Sequence, residues 1–269
     1  MRRRIYAIIA MASLANALFA QQPKMPSKIV SWEPYNSYVV AGAAAALGTI
    51  AISKYPLEIT PQVGPSINWF RYDQQALSDF YSTFDSQPNF GNVWGYSIGA
   101  LIGTDRPGLN FKTGLFLESK GRSYSHKGWA QTYVYSDGYG HQSKIWLETE
   151  GHSRLSYFTI PLMIGMKTEG QKAVFSLDLG GFLSLPIAER HTSTTNGVEE
   201  ELEPMQTIGL DAGLLANIGL SIPITETLRF RTDLRHAAGL TNVQEMSAFA
   251  AYTQSVQILF GVSFRPKSK

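Results

Sequence analysis

The chain has 269 residues, no cysteine and a net charge of +2, with charged residues at 16% and aromatics at 12%. The near-neutral balance excludes nucleic-acid binding driven by bulk charge, and the lack of cysteine excludes disulfides, thiol chemistry and lipobox lipidation. A mean hydropathy of −0.09 is too low for a bundle of membrane helices, but it fits a soluble protein or a membrane β-barrel.

Residues 1–20, "MRRRIYAIIAMASLANALFA", read as a secretory signal peptide. Arg2, Arg3 and Arg4 form its basic region, Ile5–Leu14 its apolar core, and small residues offer cleavage after Ala17 or, preferably, Ala20. Residues 21–58 form a leader, irregular and proline-containing as far as Tyr35. The uncharged, small-residue stretch Ser37–Ser53 follows, "SYVVAGAAAALGTIAIS". It is short for a spanning helix and reads as a helix packed on or in the main domain, an extra strand or a loose segment.

From residue 59 to 265 the pattern is regular, with a tail at 266–269. Eight segments alternate with period two, which makes each a strand with unlike faces. Ile59–Phe70 shows Ile59, Val63, Ile67 and Trp69, and Val93–Gly103 shows Trp94, Tyr96, Ile98 and Ile102. Leu109–Lys120 shows Leu109, Phe111, Leu115 and Leu117, and Leu155–Lys167 shows Phe158, Ile160, Leu162, Ile164 and Met166. Ala173–Ile187 shows Phe175, Leu177, Leu179, Leu183 and Leu185, and Ile208–Ile222 shows Ile208, Leu210, Leu214, Ile218 and Leu220. In "TLRFRTDLRHAAGLTNV" Leu228, Phe230, Thr232 and Leu234 alternate with charges, and Val256–Phe264 closes the series.

The opposite faces carry Gly, Ser, Asn and Gln together with Lys112, Glu118, Lys120, Lys167, Asp178, Asp211, Arg229, Arg231, Asp233 and Arg235. No charge falls on the apolar faces. Short connections (Thr104–Gly108, Thr168–Gln171, Ile224–Thr227) alternate with long polar ones (Arg71–Asn92, Gly121–Arg154, Ala188–Thr207, Gly239–Ser255). These features predict an all-β fold: an eight-stranded antiparallel transmembrane β-barrel with short periplasmic turns and long outer loops, in a Gram-negative outer membrane. A soluble lipocalin-like barrel would reverse the faces. It also leaves unexplained the aromatics near segment ends (Trp69, Trp94, Tyr96, Tyr157, Phe264), which suit an interfacial girdle.

Eight strands leave a lumen just wide enough for side chains to fill, so the ten charges are expected to form an ion-pair network inside it. Arg229, Arg231 and Arg235 lie beside Asp178, Asp211 and Asp233 in the strand order. A charge-filled plug is the structural reading of this cluster; an ion pathway or ligand site is the functional one.

All five histidines fall at the outer side: His126, His141 and His152 in the second long connection, His191 in the third, and His236 at the top of the seventh strand. With Ser153 and Glu148 or Glu150 they offer the parts of a metal site or of a His-Ser-acid lipid hydrolase, but their spacing matches no metal motif, and solvated loop histidines are the plainer reading. "WAQTYVYSDGYGHQSKIWLE" reads as a hairpin above the membrane, turning at Asp137–Gly140. Its aromatics can serve a glycan or protein partner or pack the hairpin. The acidic "NGVEEELEP" reads as a solvated loop, with weak divalent-cation binding as the sharper reading.

Four stretches carry a family resemblance: "YFTIPLMIGMK" (Tyr157–Lys167), "LDAGLLANIGLSIPI" (Leu210–Ile224), "LRFRTDLRHAAGLTNV" and "SVQILFGVSF" (Ser255–Phe264). In this order they resemble the PorT-like outer-membrane β-barrel family of Bacteroidetes. Thr159 stands where that pattern has an acidic residue, and Arg265–Lys269 trail its terminal aromatic. The resemblance implies the fold and the location more than an activity, and admits a place in a secretion and gliding apparatus. The expectation is a non-catalytic barrel with no cofactor and a structural, binding or export-accessory role. Its partners would be outer-membrane lipid and a cell-envelope or secretion-apparatus protein, not nucleic acid. A lipid hydrolase using the rim histidines and a small-solute channel are the rivals.

Overall fold

The structure, a computed structural model, describes residues 57–81, 88–105, 108–136, 139–168, 170, 172–202, 210–243 and 250–265. The predicted signal peptide, the small-residue stretch Ser37–Ser53 and the tail lie outside the described residues.

Each period-two segment is a strand. In chain order the elements are β1 (Leu57–Tyr72), α1 (Gln74–Tyr81), β2 (Asn89–Gly91), β3 (Val93–Thr104), β4 (Gly108–Ser136), β5 (Tyr139–Lys167), β6 (Val174–Thr195), β7 (Val198–Leu202), β8 (Asp211–Pro223), β9 (Leu228–Gly239) and β10 (Ala251–Phe264). Eight of them pair antiparallel in the order β1, β3, β4, β5, β6, β8, β9, β10, and β10 pairs back to β1. The ring is closed, so it has no sheet edge to expose to lipid.

The register can be followed once round. Ile59 faces Ile102, then Thr113, Leu162, Gly181, Leu214, Ala238 and Gln254 in turn. Gln254 faces Trp69, ten residues along β1 from the start. A stagger of this size in eight strands tilts them by about 40° and leaves a narrow interior.

Burial is inside out. Along β1 the polar residues Glu58, Thr60, Gln62, Ser66 and Asn68 are buried while Ile59 and Val63 are exposed. The same holds round the ring: Trp94 is 68% exposed and Met166 67%, whereas Arg231 is 1%. Such a wall needs lipid outside it, which rules out the soluble barrel. Ile102 and Leu185 share the outer face by register but are buried.

Phe111, Phe175, Phe230 and Phe264 stand on the outer face near the short-turn end, with Trp69, Trp94 and Tyr96 towards the other. Tyr157, expected in this girdle, is instead fully buried on the inner face. In "YFTIP" both faces begin with an aromatic ring, so alternation could not choose between Tyr157 and Phe158.

The strands β4, β5 and β6 run well past their predicted limits. β4 and β5 stay in register from Gly108↔Lys167 to Ser136↔Tyr139, each 29 residues long. A tilted spanning strand needs roughly 9–11 residues, so this hairpin stands clear of the wall. The expected acidic loop is partly a second hairpin. β7 pairs with the end of β6 across Asn196–Gly197, both at positive φ, as a two-residue hairpin turn requires.

The first long connection contains α1. Asp73 accepts hydrogen bonds from the amides of Gln75 and Ala76 at 3.0 and 3.2 Å and so caps the helix. Leu77 packs with Tyr72, Val243 and Ala251 at the hairpin end of the barrel.

Candidate functional site: the barrel lumen

Most of the inward-facing charges form two clusters at different depths. Nearer the short turns, Lys112 meets Asp178 at 2.6 Å and Lys167 pairs with Glu58. Arg231 grips Asp233 with two nitrogens, Nε at 2.6 Å and Nη2 at 2.8 Å, and lies 3.8 Å from Asp178 and 4.0 Å from Glu58. Asn217 donates to both Asp178 and Asp233, Gln62 donates to Asp233, and the Ser176 hydroxyl accepts from Lys112 and Arg231. Asp105 closes the end, 3.8 Å from Lys167 and paired with Arg265.

Nearer the hairpins, Lys120 meets Asp211 at 2.8 Å and lies 3.9 Å from Glu118. Its ammonium also sits 4.4 Å over the Phe182 ring and 4.9 Å over that of Tyr157. Thr253 donates to Asp211, and Gln257 and Thr159 donate to Glu118. Thr159, where the resemblance led to the expectation of an acidic residue, thus meets a carboxylate supplied by β4. Arg235 lies 3.9 Å from Glu118.

Between the clusters runs an apolar belt of Leu101, Phe116, Met163, Phe182, Leu215, Ala237 and Leu259, one residue from each of seven ring strands. Glycines give the charges room. A Cβ at Gly165 would strike the Asp178 carboxylate, one at Gly219 would strike Asp233, Ser176 and Arg231, and one at Gly239 would crowd Thr253 and Asp211.

Nine of the ten predicted charges therefore enter these contacts, and of the three arginines only Arg231 meets the aspartates expected of it. Asp178 and Asp211 take lysines of β4 from across the lumen, and only Asp233 takes an arginine of its own strand. Arg229, half-buried at the start of β9, stands outside the pairs just described. Glu58, Asp105 and Arg265 belong to the site and escaped the sequence reading. Glu58 alternates in phase with Thr60 and Gln62, which was the available signal. The belt gave none, because a leucine on a polar face looks like a lapse in alternation.

Among the described side chains the histidines do not converge. His191 is buried inside the hairpin end, opposite Ser153 in register, with its ring stacked on Tyr124 at 5.8 Å and Nε2 3.4 Å from the Tyr124 hydroxyl. Tyr124 also donates to Ser193 at 3.2 Å. Burial, with the Arg122 guanidinium second, pushes the His191 imidazole below its ordinary pKa. His236 is not at the rim: it lies on the outer face of β9, stacked on Trp69 at 6.5 Å. Its strand ends three residues later, so a place near the strand top did not mean a place on the inner rim. His126 and His152 lie on β4 and β5 of the long hairpin. Among the described residues no three His, Asp or Glu side chains gather as a metal site.

A closed antiparallel ring with aliphatic residues outside and paired charges inside is a membrane-spanning β-barrel. The chain belongs to the outer membrane protein beta-barrel domain family, whose signature matches residues 55–245, and it resides in the outer membrane. Among solved structures it is similar to Ail, the attachment invasion locus protein of Yersinia pestis, in complex with the heparin analogue sucrose octasulfate. The identity there is 8% over 78% of this chain and 99% of that one, with a TM-score of 0.36. It is similar also to Neisserial surface protein A (13% identity, 77% and 97% coverage, TM-score 0.34). The third is the outer membrane protease OmpT from Escherichia coli (8% identity, 78% and 97% coverage, TM-score 0.30). No curated protein matches the chain.

Proposed function

We propose that the protein is a non-catalytic barrel of the PorT-like kind, sealed through its lumen. It serves the envelope as a structural, binding or export-accessory component, and its long hairpin faces outward. The observation that carries the reading is the two opposed ion-pair clusters with an apolar belt between them. A water-filled channel would leave those charges solvated, whereas here each cluster nearly balances its own charge and is buried.

The hairpin supplies the binding face. Trp129 and Trp146 form an edge-to-face pair at 5.4 Å and both remain about half exposed, beside the Lys127–Glu148 ion pair. Exposed rigid aromatics flanked by charge suit a glycan or a protein surface.

Purified protein in planar bilayers tests the seal, and turnover of lipid A or phospholipid tests the absence of catalysis. The expected results are no steady current and no turnover. A steady ionic current in the wild-type protein would overturn the sealed lumen, and lipid hydrolysis lost in His191→Asn would overturn the non-catalytic role. Cross-linking at Trp129 in native outer membranes identifies the partner.

A further inference from the structure

Arg235 is bound unlike the four cations of the ion-pair clusters. Lys112, Lys120, Lys167 and Arg231 each meet a carboxylate oxygen at hydrogen-bond distance. Arg235 is fully buried, yet none of its three guanidinium nitrogens donates a hydrogen bond to the protein. It is held by the Glu118 charge at 3.9 Å and by the Phe116 ring, 4.4 Å beneath its guanidinium carbon. Buried donors without acceptors cost free energy, so this side chain is less committed to its place than those four.

Its place is also distinctive. On the inner face of β9 it follows Asp233 of the first cluster and precedes Ala237 of the belt. Its register partners are Asn217 on β8 and Gln257 on β10. Both carry a side-chain oxygen that accepts no hydrogen bond. Asn217, Arg235 and Gln257 therefore make a polar breach in the belt, linking Asp233 on one side to Glu118 on the other.

We propose that Arg235 is the gate of a small-cation path through the lumen. Seated on Phe116, it fills the breach and sets a positive charge in the way. With that charge withdrawn, Lys120 is, among the described residues, the cation left within 4.0 Å of Glu118 and Asp211, so the hairpin-end cluster becomes net negative and the way past Asn217 and Gln257 admits cations. The proposal rests on the sealed-lumen reading and names the residue that makes the seal.

The test is conductance of Arg235→Ala, Arg235→Lys and wild-type protein in planar bilayers under a KCl gradient, with heat-dependent gel mobility as the check of folding. Wild type and Arg235→Lys should stay at baseline. Arg235→Ala should pass current at least about tenfold above it, with a reversal potential showing cation selectivity. If Arg235→Ala fails to fold, Arg235→Gln keeps the length without the charge and should behave alike. A folded neutral variant as silent as the wild type overturns the gate and leaves the sealed lumen standing. Wild-type current equal to that of Arg235→Ala overturns both. An anion-selective current in Arg235→Ala overturns the gate as a cation barrier.

Discussion

Replacing Arg231 by leucine tests whether the inner charges hold the wall together. Arg231 is buried and its two bonds to Asp233 are short, with Glu58 and Asp178 within 4.0 Å. Leucine removes one positive charge from among three carboxylates. Lys167 and Lys112 still neutralise Glu58 and Asp178, so the loss falls mainly on Asp233, left with amide donors from Gln62 and Asn217. Breaking a buried pair from one side costs roughly 3–5 kcal/mol, because the remaining charge is stranded. Phe230→Leu, next along the chain but facing lipid, trades one apolar side chain for another and should cost less than about 1.5 kcal/mol. Urea unfolding of both variants in lipid vesicles gives the comparison. The double variant Arg231→Leu/Asp233→Leu removes the stranded charge and should recover part of the loss. If Arg231→Leu falls within about 1 kcal/mol of wild type, the pair is not the structural element described here.

Gly219→Ala drives a methyl into Asp233, Ser176 and Arg231 and should destabilise by roughly 1–3 kcal/mol in the same assay, whereas Gly197→Ala, with open space around it, disturbs only its turn. Tags inserted at Asn196–Gly197 or Asp137–Gly140 should be reached by antibody on intact cells and tags at Glu169–Gly170 should not; the opposite pattern would invert the barrel. Because the His191 imidazole is pushed down by burial, the folded protein binds its proton less readily than the unfolded chain, which takes it up near the ordinary value of about 6.5. Its contribution to stability is thus full above that pH and declines as pH falls through it. Thermal midpoints at pH 7.5 and 5.5 should show a larger acid-side drop for wild type than for His191→Asn, and equal drops would refute the assignment.

Much of the architecture was legible in the amino acids. Period-two alternation is a property of each strand alone, so eight strands and their two faces could be read without knowing any pairing. The separation of Lys112, Glu118 or Arg231 from Phe111, Leu117 or Phe230 already stated that one side meets lipid. Length was less legible. The alternation beyond Lys120 and before Leu155 uses polar and aromatic residues on both faces, because no lipid boundary sorts them above the wall.

The interior was decided by closure of the ring. Lys120 and Asp211 are 91 residues apart and Lys112 and Asp178 66 apart, and each pair meets across the lumen. No local pattern encodes that meeting. It follows from the ten-residue stagger accumulated round eight strands, which sets the depth of every inward side chain. The stagger also brings Leu101, Phe116, Met163, Phe182, Leu215, Ala237 and Leu259 into one belt, though each is isolated among polar neighbours in its own strand. It places Arg235 over Phe116 rather than against an aspartate, and turns Tyr157 towards Lys120 instead of the membrane surface. Alternation tells a residue which side of the wall it faces; only the closed, tilted barrel tells it what it faces there.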